Sequence, residues 1–209
     1  MVEEQEISQQ LFVSKSSLRR AAAKYIGKNK IENLGDKLWD AYLKEAENPK
    51  TWETQVEMIK SLGLIRYAKA KQSLYSICKS NKKHDMITSS ATKAYVRIAR
   101  ENLQDIIPIL DLLSFGDFEV VSSAFEVLGE DKMVPSEKEI LFLLNYISKS
   151  NLVKEKGYTD FRIGFVCACA GFSDIPEVKL FLTKCLDNED SFFAKVAINS
   201  LNRKYTAIS

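Results

Sequence analysis

The sequence predicts an all-α protein, an α-α superhelix of about five stacked helix pairs, and three observations carry that expectation. One kind of helical ending recurs along the chain: QVEMIKSLG (55–63), ATKAYVRIA (91–99), SSAFEVLG (122–129), FVCACAG (165–171) and AKVAINSLN (194–202). Aligned on Leu62, Ile98, Leu128, Ala170 and Leu201, these endings lie 36, 30, 42 and 31 residues apart. That is the period at which one helical unit buries its apolar face on the next. Four residues before each mark stand Met58, Ala94, Ala124, Val166 and Ala197, slim enough to let a neighbouring helix approach. Between the marks run apolar stripes at i, i+3, i+4 and i+7, such as Ile140, Leu143 and Ile147, or Val178, Phe181, Leu182 and Cys185. Finally, only eight Gly and four Pro occur in 209 residues, too few for the many tight turns of an all-β fold.

Each element follows in order. Residues 1–13 read as a flexible N-terminal leader. Ser14 or Ser16 is placed to cap a helix running through LRRAAAKYIG to about Lys28. A second helix, about 31–47, carries Leu38, Trp39, Tyr42 and Leu43 on one stripe and stops at Asn48-Pro49. Residues 14–50 are thus the N-terminal capping helices, and 51–205 form one continuous repeat domain. Its pairs are 51–63 with 67–80, 86–100 with 104–114, 117–129 with 136–149, and 160–171 with 175–187, followed by a last helix over 190–204. The four prolines fall in breaks or first turns. Gly63, Gly129 and Gly171 fall at helix ends, where a left-handed residue is expected.

The Ala-x-x-x-Leu-Gly endings and the Pro-led second helix DIPEVKLFLTKCL (174–186) resemble the HEAT-repeat (armadillo-like) α-solenoid family, over roughly residues 48–205 with a start near 31. The sequence departs from that pattern where DKMVPSE and SNLVKEKGYTD stretch the third unit, and where the first and last units lack the Gly or the small residue. The resemblance implies a right-handed solenoid with a concave face lined by second helices. It also implies an interaction protein: an adaptor, an assembly factor, or a cognate inhibitor of the immunity-protein type.

Charge supplies a second signal. Residues 14–100 hold 19 Lys plus Arg against 8 Asp plus Glu, +11, and residues 101–209 hold 11 against 17, −6. With −3 from the first 13 residues, the chain closes at +2. A basic half of this kind steers and orients an acidic partner. The candidate partner-binding residues are Lys69, Lys71, Lys79, Lys82, Lys83, Lys93, Arg97 and Arg100. Lys93, Arg97 and Arg100 share one helical stripe, and Lys82 and Lys83 lie in the polar loop SNKKHD.

Little in the chain points to catalysis. His84 is the single histidine and sits in that loop, and no phosphate-binding glycine loop is present. Cys78, Cys167, Cys169 and Cys185 lie among apolar residues, and Cys167 and Cys169 point about 200° apart on a helix. They read as buried apolar side chains rather than metal ligands or a disulfide framework. Cys78 is the one candidate nucleophile for a lyase-like or chromophore-transfer reading, and burial would make it a poor one. Glu130-Asp131 and Glu189-Asp190 read as helix caps. No cofactor and no metal are expected.

A rival reading is nucleic-acid binding. EISQQLFVSKSSLRRAAAKY (6–25) resembles a helix-turn-helix in which Ser14, Ser16, Ser17, Arg19 and Arg20 would face DNA. Alkylpurine DNA glycosylases of HEAT-like architecture share the basic face and aromatic residues. Here the tryptophans, Trp39 and Trp52, lie on apolar stripes expected in the core, and no position matches the family's catalytic motif. No apolar run is long enough to cross a membrane, and MVEEQEISQQ lacks the features of a secretory signal. The expectation is a cytoplasmic protein whose partner is a protein, with nucleic acid as the alternative and no membrane partner.

Overall fold

The computed structural model describes residues 2–150, 152 and 160–207, and among these every regular element is helical. Twelve α-helices follow in order: α1 (Val2–Gln10), α2 (Ser16–Lys28), α3 (Gly35–Glu45), α4 (Trp52–Leu64), α5 (Lys71–Ser80), α6 (Met86–Ala99), α7 (Ile107–Leu113), α8 (Phe118–Glu130), α9 (Glu137–Lys149), α10 (Ile163–Ala168), α11 (Pro176–Lys184) and α12 (Ser191–Leu201). Short 3-10 turns precede α3, α4 and α5 and follow α10 and α11. The expected helices lie within a few residues of these bounds. The inserted stretch SNLVKEKGYTD falls mostly outside the described residues.

The chain divides into two compact units, Met1–Ala99 and Arg100–Ser209. In the first, α4 lies between α2 and α6, with α3 packed on α4, α5 on α6 and α1 on α2. In the second, α10 lies between α8 and α12, with α7 on α8 and α11 on both α12 and α9. Ala94, Ala124 and Ala197 are all fully buried. In the second unit, edge-to-face ring pairs tie four helices together: Phe125 with Tyr146 at 6.4 Å, Phe125 with Phe165 at 5.6 Å and Phe165 with Phe181 at 5.8 Å. Burying such a side chain contributes roughly 1.5–3 kcal/mol.

The glycines of the repeated endings do a different job from the expected one. Gly63 and Gly129 sit inside α4 and α8, not at left-handed positions. A methyl group on Gly63 would stand 2.7 Å from the Ala94 Cα, and one on Gly164 would stand 2.6 Å from the Glu126 Cα. These glycines therefore set how closely α4 meets α6 and α10 meets α8. The left-handed residue comes later and is basic: Lys30, Arg66, Lys132 and Arg203 have φ of 51°, 52°, 49° and 58°. Each closes a Schellman pair of hydrogen bonds, as where the Lys30 amide donates to Gly27 O at 3.2 Å and the Ile31 amide to Ile26 O at 3.1 Å. The same pairs follow α4, α8 and α12, through Arg66 and Tyr67, Lys132 and Met133, and Arg203 and Lys204. A cation here also suits the negative end of the helix dipole. This common ending includes α2, so the repetition begins earlier in the chain than the endings compared above.

Two further expectations are corrected. Residues of the supposed leader form α1, which packs on α2, and Leu11 is buried. Neither Ser14 nor Ser16 caps α2; its N-cap is Lys15, with no side-chain hydrogen bond.

Candidate interaction surface

The exposed members of the basic set gather on α5 and the loop that follows it. Helix α5 buries Leu74 and Cys78 and leaves Lys71 and Lys79 in water. Lys71, Tyr75 and Lys79 are spaced four apart, so they run along one side of the helix. The Lys79 Nζ stands 4.9 Å over the Tyr75 ring, which in turn packs 5.0 Å from Tyr95. Asn81 ends the helix in a left-handed conformation with φ 49°. The chain then presents Lys82, Lys83 and His84, all exposed. Before α5, Lys69 Nζ bonds Asp36 Oδ1 at 2.6 Å and lies 5.9 Å over the Tyr67 ring, while the Tyr67 hydroxyl donates to the same carboxylate. Hydrogen bonds from Lys69 and then Tyr67 hold the Asp36 carboxyl below its ordinary pKa, and Asp36 in turn raises that of Lys69.

The stripe Lys93, Arg97 and Arg100 is not part of this surface. Lys93 and Arg97 are each only 9% exposed. Arg100 Nη2 bonds Asp131 Oδ2 at 2.7 Å, so Asp131 serves an ion pair rather than a cap. Amphipathic stems allow Lys and Arg to be buried at positions that look like a solvated stripe in sequence.

The DNA-contacting candidates fare similarly. Arg19 grips Glu45 through both carboxylate oxygens, at 2.6 and 2.8 Å, and donates to Val13 O and Ser14 O at 2.8 and 2.7 Å. The hydrogen bond to Glu45 raises the Arg19 pKa against the opposing effect of burial. Burial pushes the Glu45 carboxyl up, but hydrogen bonds from Arg19 and Thr51 and the Arg19 charge outweigh it, and the net shift is downward. Arg20 pairs with Glu53. Ser14 and Ser17 are exposed, and Ser16, half-buried, begins α2. Trp39 is half-buried against Tyr42, whereas Trp52 is 46% exposed instead of lying in the core.

All four cysteines are buried and unpaired. Burial pushes the Cys78 and Cys185 thiols up to about 11 and that of Cys169 well above its ordinary value, so they are protonated near neutral pH. No group of three His, Cys, Asp or Glu among the described residues could hold a metal. A cleft of about 610 Å³ in the second unit is lined by Asp160, Phe161, Arg162, Phe181, Lys184 and Cys185 among others. Its guanidinium is committed to Asp160, with Nη2 to Oδ2 at 2.6 Å and Nε to Oδ1 at 2.9 Å. The first unit has a smaller hollow of about 260 Å³ between the 11–13 turn and α3.

Among the described residues, the first unit exposes thirteen Lys and Arg against six Asp and Glu. No helix of the described residues is long and apolar enough to cross a membrane. No family model, curated protein or solved structure matches this chain.

Proposed function

We propose that this chain is a non-enzymatic interaction protein, a HEAT-like solenoid whose first unit docks the acidic surface of a protein partner. One observation carries this reading: Lys69, Lys71, Lys79, Lys82 and Lys83 are all exposed on one helix and its flanking loops. They belong to a unit with a twofold excess of exposed cations. Such an excess raises the encounter rate with an acidic partner and orients it. Three of the unit's lysines, Lys44, Lys69 and Lys79, stand over aromatic rings, which holds their ammonium groups in place before a partner arrives. The recurrence of one Schellman ending in α2, α4, α8 and α12 supports the repeat architecture. Four unpaired thiols fit a reducing compartment such as the cytoplasm. Against DNA reading stands the engagement of Arg19 and Arg20 within the fold.

The test is affinity capture from lysate of the native cell, with and without nuclease, comparing the wild type with a variant carrying Lys71→Glu, Lys79→Glu, Lys82→Glu and Lys83→Glu. A single stoichiometric acidic protein, retained after nuclease and lost with the variant, is expected. Equal capture by the variant sinks the proposal. Loss of all binding upon nuclease treatment transfers it to nucleic acid.

A further inference from the structure

Beside its excess of cations, the first unit exposes large apolar side chains. Phe12 and Leu43 are 42% and 47% exposed, although each belongs to a side-chain class that usually lies inside. They share a hollow of about 490 Å³ with Lys37, Asp40 and Lys44. The smaller hollow of about 260 Å³ adjoins it, since Phe12 and Lys44 line both. Its other walls include Leu11, Ala41, Asn48 and the Arg19–Glu45 pair. The walls are braced. Arg19 ties the 11–15 turn to α3 through Glu45, Val13 and Ser14, and Gln55 Nε2 donates to Glu45 O and Asn48 O at 3.1 and 2.8 Å. The Lys44 Nζ stands 5.0 Å over the Phe12 ring, on the boundary between the two hollows.

We infer that this groove seats an apolar side chain of an acidic partner segment, with Lys44 and Lys37 taking the flanking carboxylates. The inference rests on the reading of the first unit as a surface for an acidic protein, and it supplies what that reading lacks. Charges at an interface rim steer and orient, whereas affinity comes mainly from a few apolar or aromatic anchors in desolvated pockets. The occupant follows from the groove's chemistry. Arg19 and Glu45 neutralise each other, leaving Lys37 and Lys44 against Asp40, in a unit whose exposed charge is strongly positive. Two adjoining hollows suit protruding side chains of a polypeptide, while a lipid surface would meet a convex apolar edge.

The probes are two blocked, fluorescein-labelled peptides. One is a Glu-rich helix former with Leu and Phe at i and i+4. The other has both replaced by Ser. Anisotropy titration of the full chain is expected to show the apolar peptide binding about tenfold tighter, as for one good anchor. Leu43→Ser, alone and with Phe12→Ser, should reduce that peptide to the level of the Ser peptide and leave the Ser peptide unaffected. Leu43→Ser alone is a surface change that keeps the melting temperature, so the result does not depend on how Phe12→Ser folds. The Lys71, Lys79, Lys82 and Lys83 reversal should weaken both peptides. If Leu43→Ser leaves the apolar peptide's affinity unchanged, the groove is not the anchor site, while the acidic-partner reading stands. If neither peptide binds the wild type, both fall. Binding to phosphatidylserine vesicles, lost in Leu43→Ser with no peptide binding, would replace the protein partner with a membrane surface and overturn the inference.

Discussion

The two units use charge in different ways. By formal count the first, with 18 basic and 11 acidic residues, carries +7, and the second, with 12 and 17, carries −5. Thirteen of the 18 cations in the first unit are exposed. In the second unit only six of the sixteen described carboxylates are exposed, and the other ten are half-buried or buried. Six of those ten have evident structural roles. Asp117 accepts from the Phe118 amide at 2.8 Å at the start of α8, and Asp190 from the Phe192 and Phe193 amides at the start of α12. Glu139 and Ser136 form a capping box on α9, Asp105 receives the Ile107 amide, and Asp160 and Asp131 hold Arg162 and Arg100. A carboxylate at a helix N-terminus satisfies an orphan amide and complements the dipole. Charges of opposite sign in a formal count thus need not give surfaces of opposite sign. Most cations of the first unit reach solvent, while at least six carboxylates of the second cap its helices or pair with its arginines.

Substitutions should separate the two roles, with the largest effect in the second unit. Arg162→Ala leaves Asp160, whose side chain is only 3% exposed, with a single backbone donor, from the Arg162 amide. Stripping the partner from a buried carboxylate should destabilise by about 3 kcal/mol, read from the urea midpoint. In the first unit Arg19 and Glu45 form a pair of the same type. Arg19→Ala should destabilise by about 2 kcal/mol, less because Glu45 keeps its hydrogen bond from Thr51. The sign of its pH dependence follows from the lowered Glu45 pKa. That contribution is present above the unfolded carboxylate value of about 4.3 and lost as pH falls through the lower folded value. Urea titrations between about pH 7 and about pH 2 should therefore lose a component in Glu45→Gln. Asp117→Ala and Asp190→Ala should each reduce stability by about 1 kcal/mol, the usual effect of losing a cap. Lys71→Glu and Lys79→Glu should shift stability by less than about 0.5 kcal/mol. A cap variant without effect, or a lysine reversal that lowers the melting temperature strongly, would erase the contrast between the units.

The helices themselves were legible because their cause is local. Apolar residues at i, i+3, i+4 and i+7 specify a helix face whatever packs on it, and Pro49, Pro108, Pro135 and Pro176 mark breaks or first turns for a reason confined to their own backbone. The exposed loop lysines, Lys82 and Lys83, were legible for the same reason. The errors share the opposite origin. Gly63 and Gly129 stand near helix ends, where a left-handed cap is the common use of Gly, but the packing of neighbouring helices needs them for close approach. The left-handed places went to Lys30, Arg66, Lys132 and Arg203, and a small residue followed three positions later by Lys or Arg was the overlooked sign. Lys93 and Arg97 have the spacing of a surface patch, and nothing in spacing tells that a stripe is covered. The groove of Phe12 and Leu43 joins residues from a turn and from α3, held together by Arg19 and Glu45, 26 positions apart.

Sequence alone thus determined the all-helical class, the placement of most helices, the buried small residues of the repeated endings and the excess of cations in the first hundred residues. These are properties of periodicity and composition, which a chain carries before it folds. Which charges reach solvent, which carboxylates become caps, and where apolar side chains are left in a groove were decided only in the tertiary structure. Exposure is set by what packs over a residue, and that depends on segments distant along the chain.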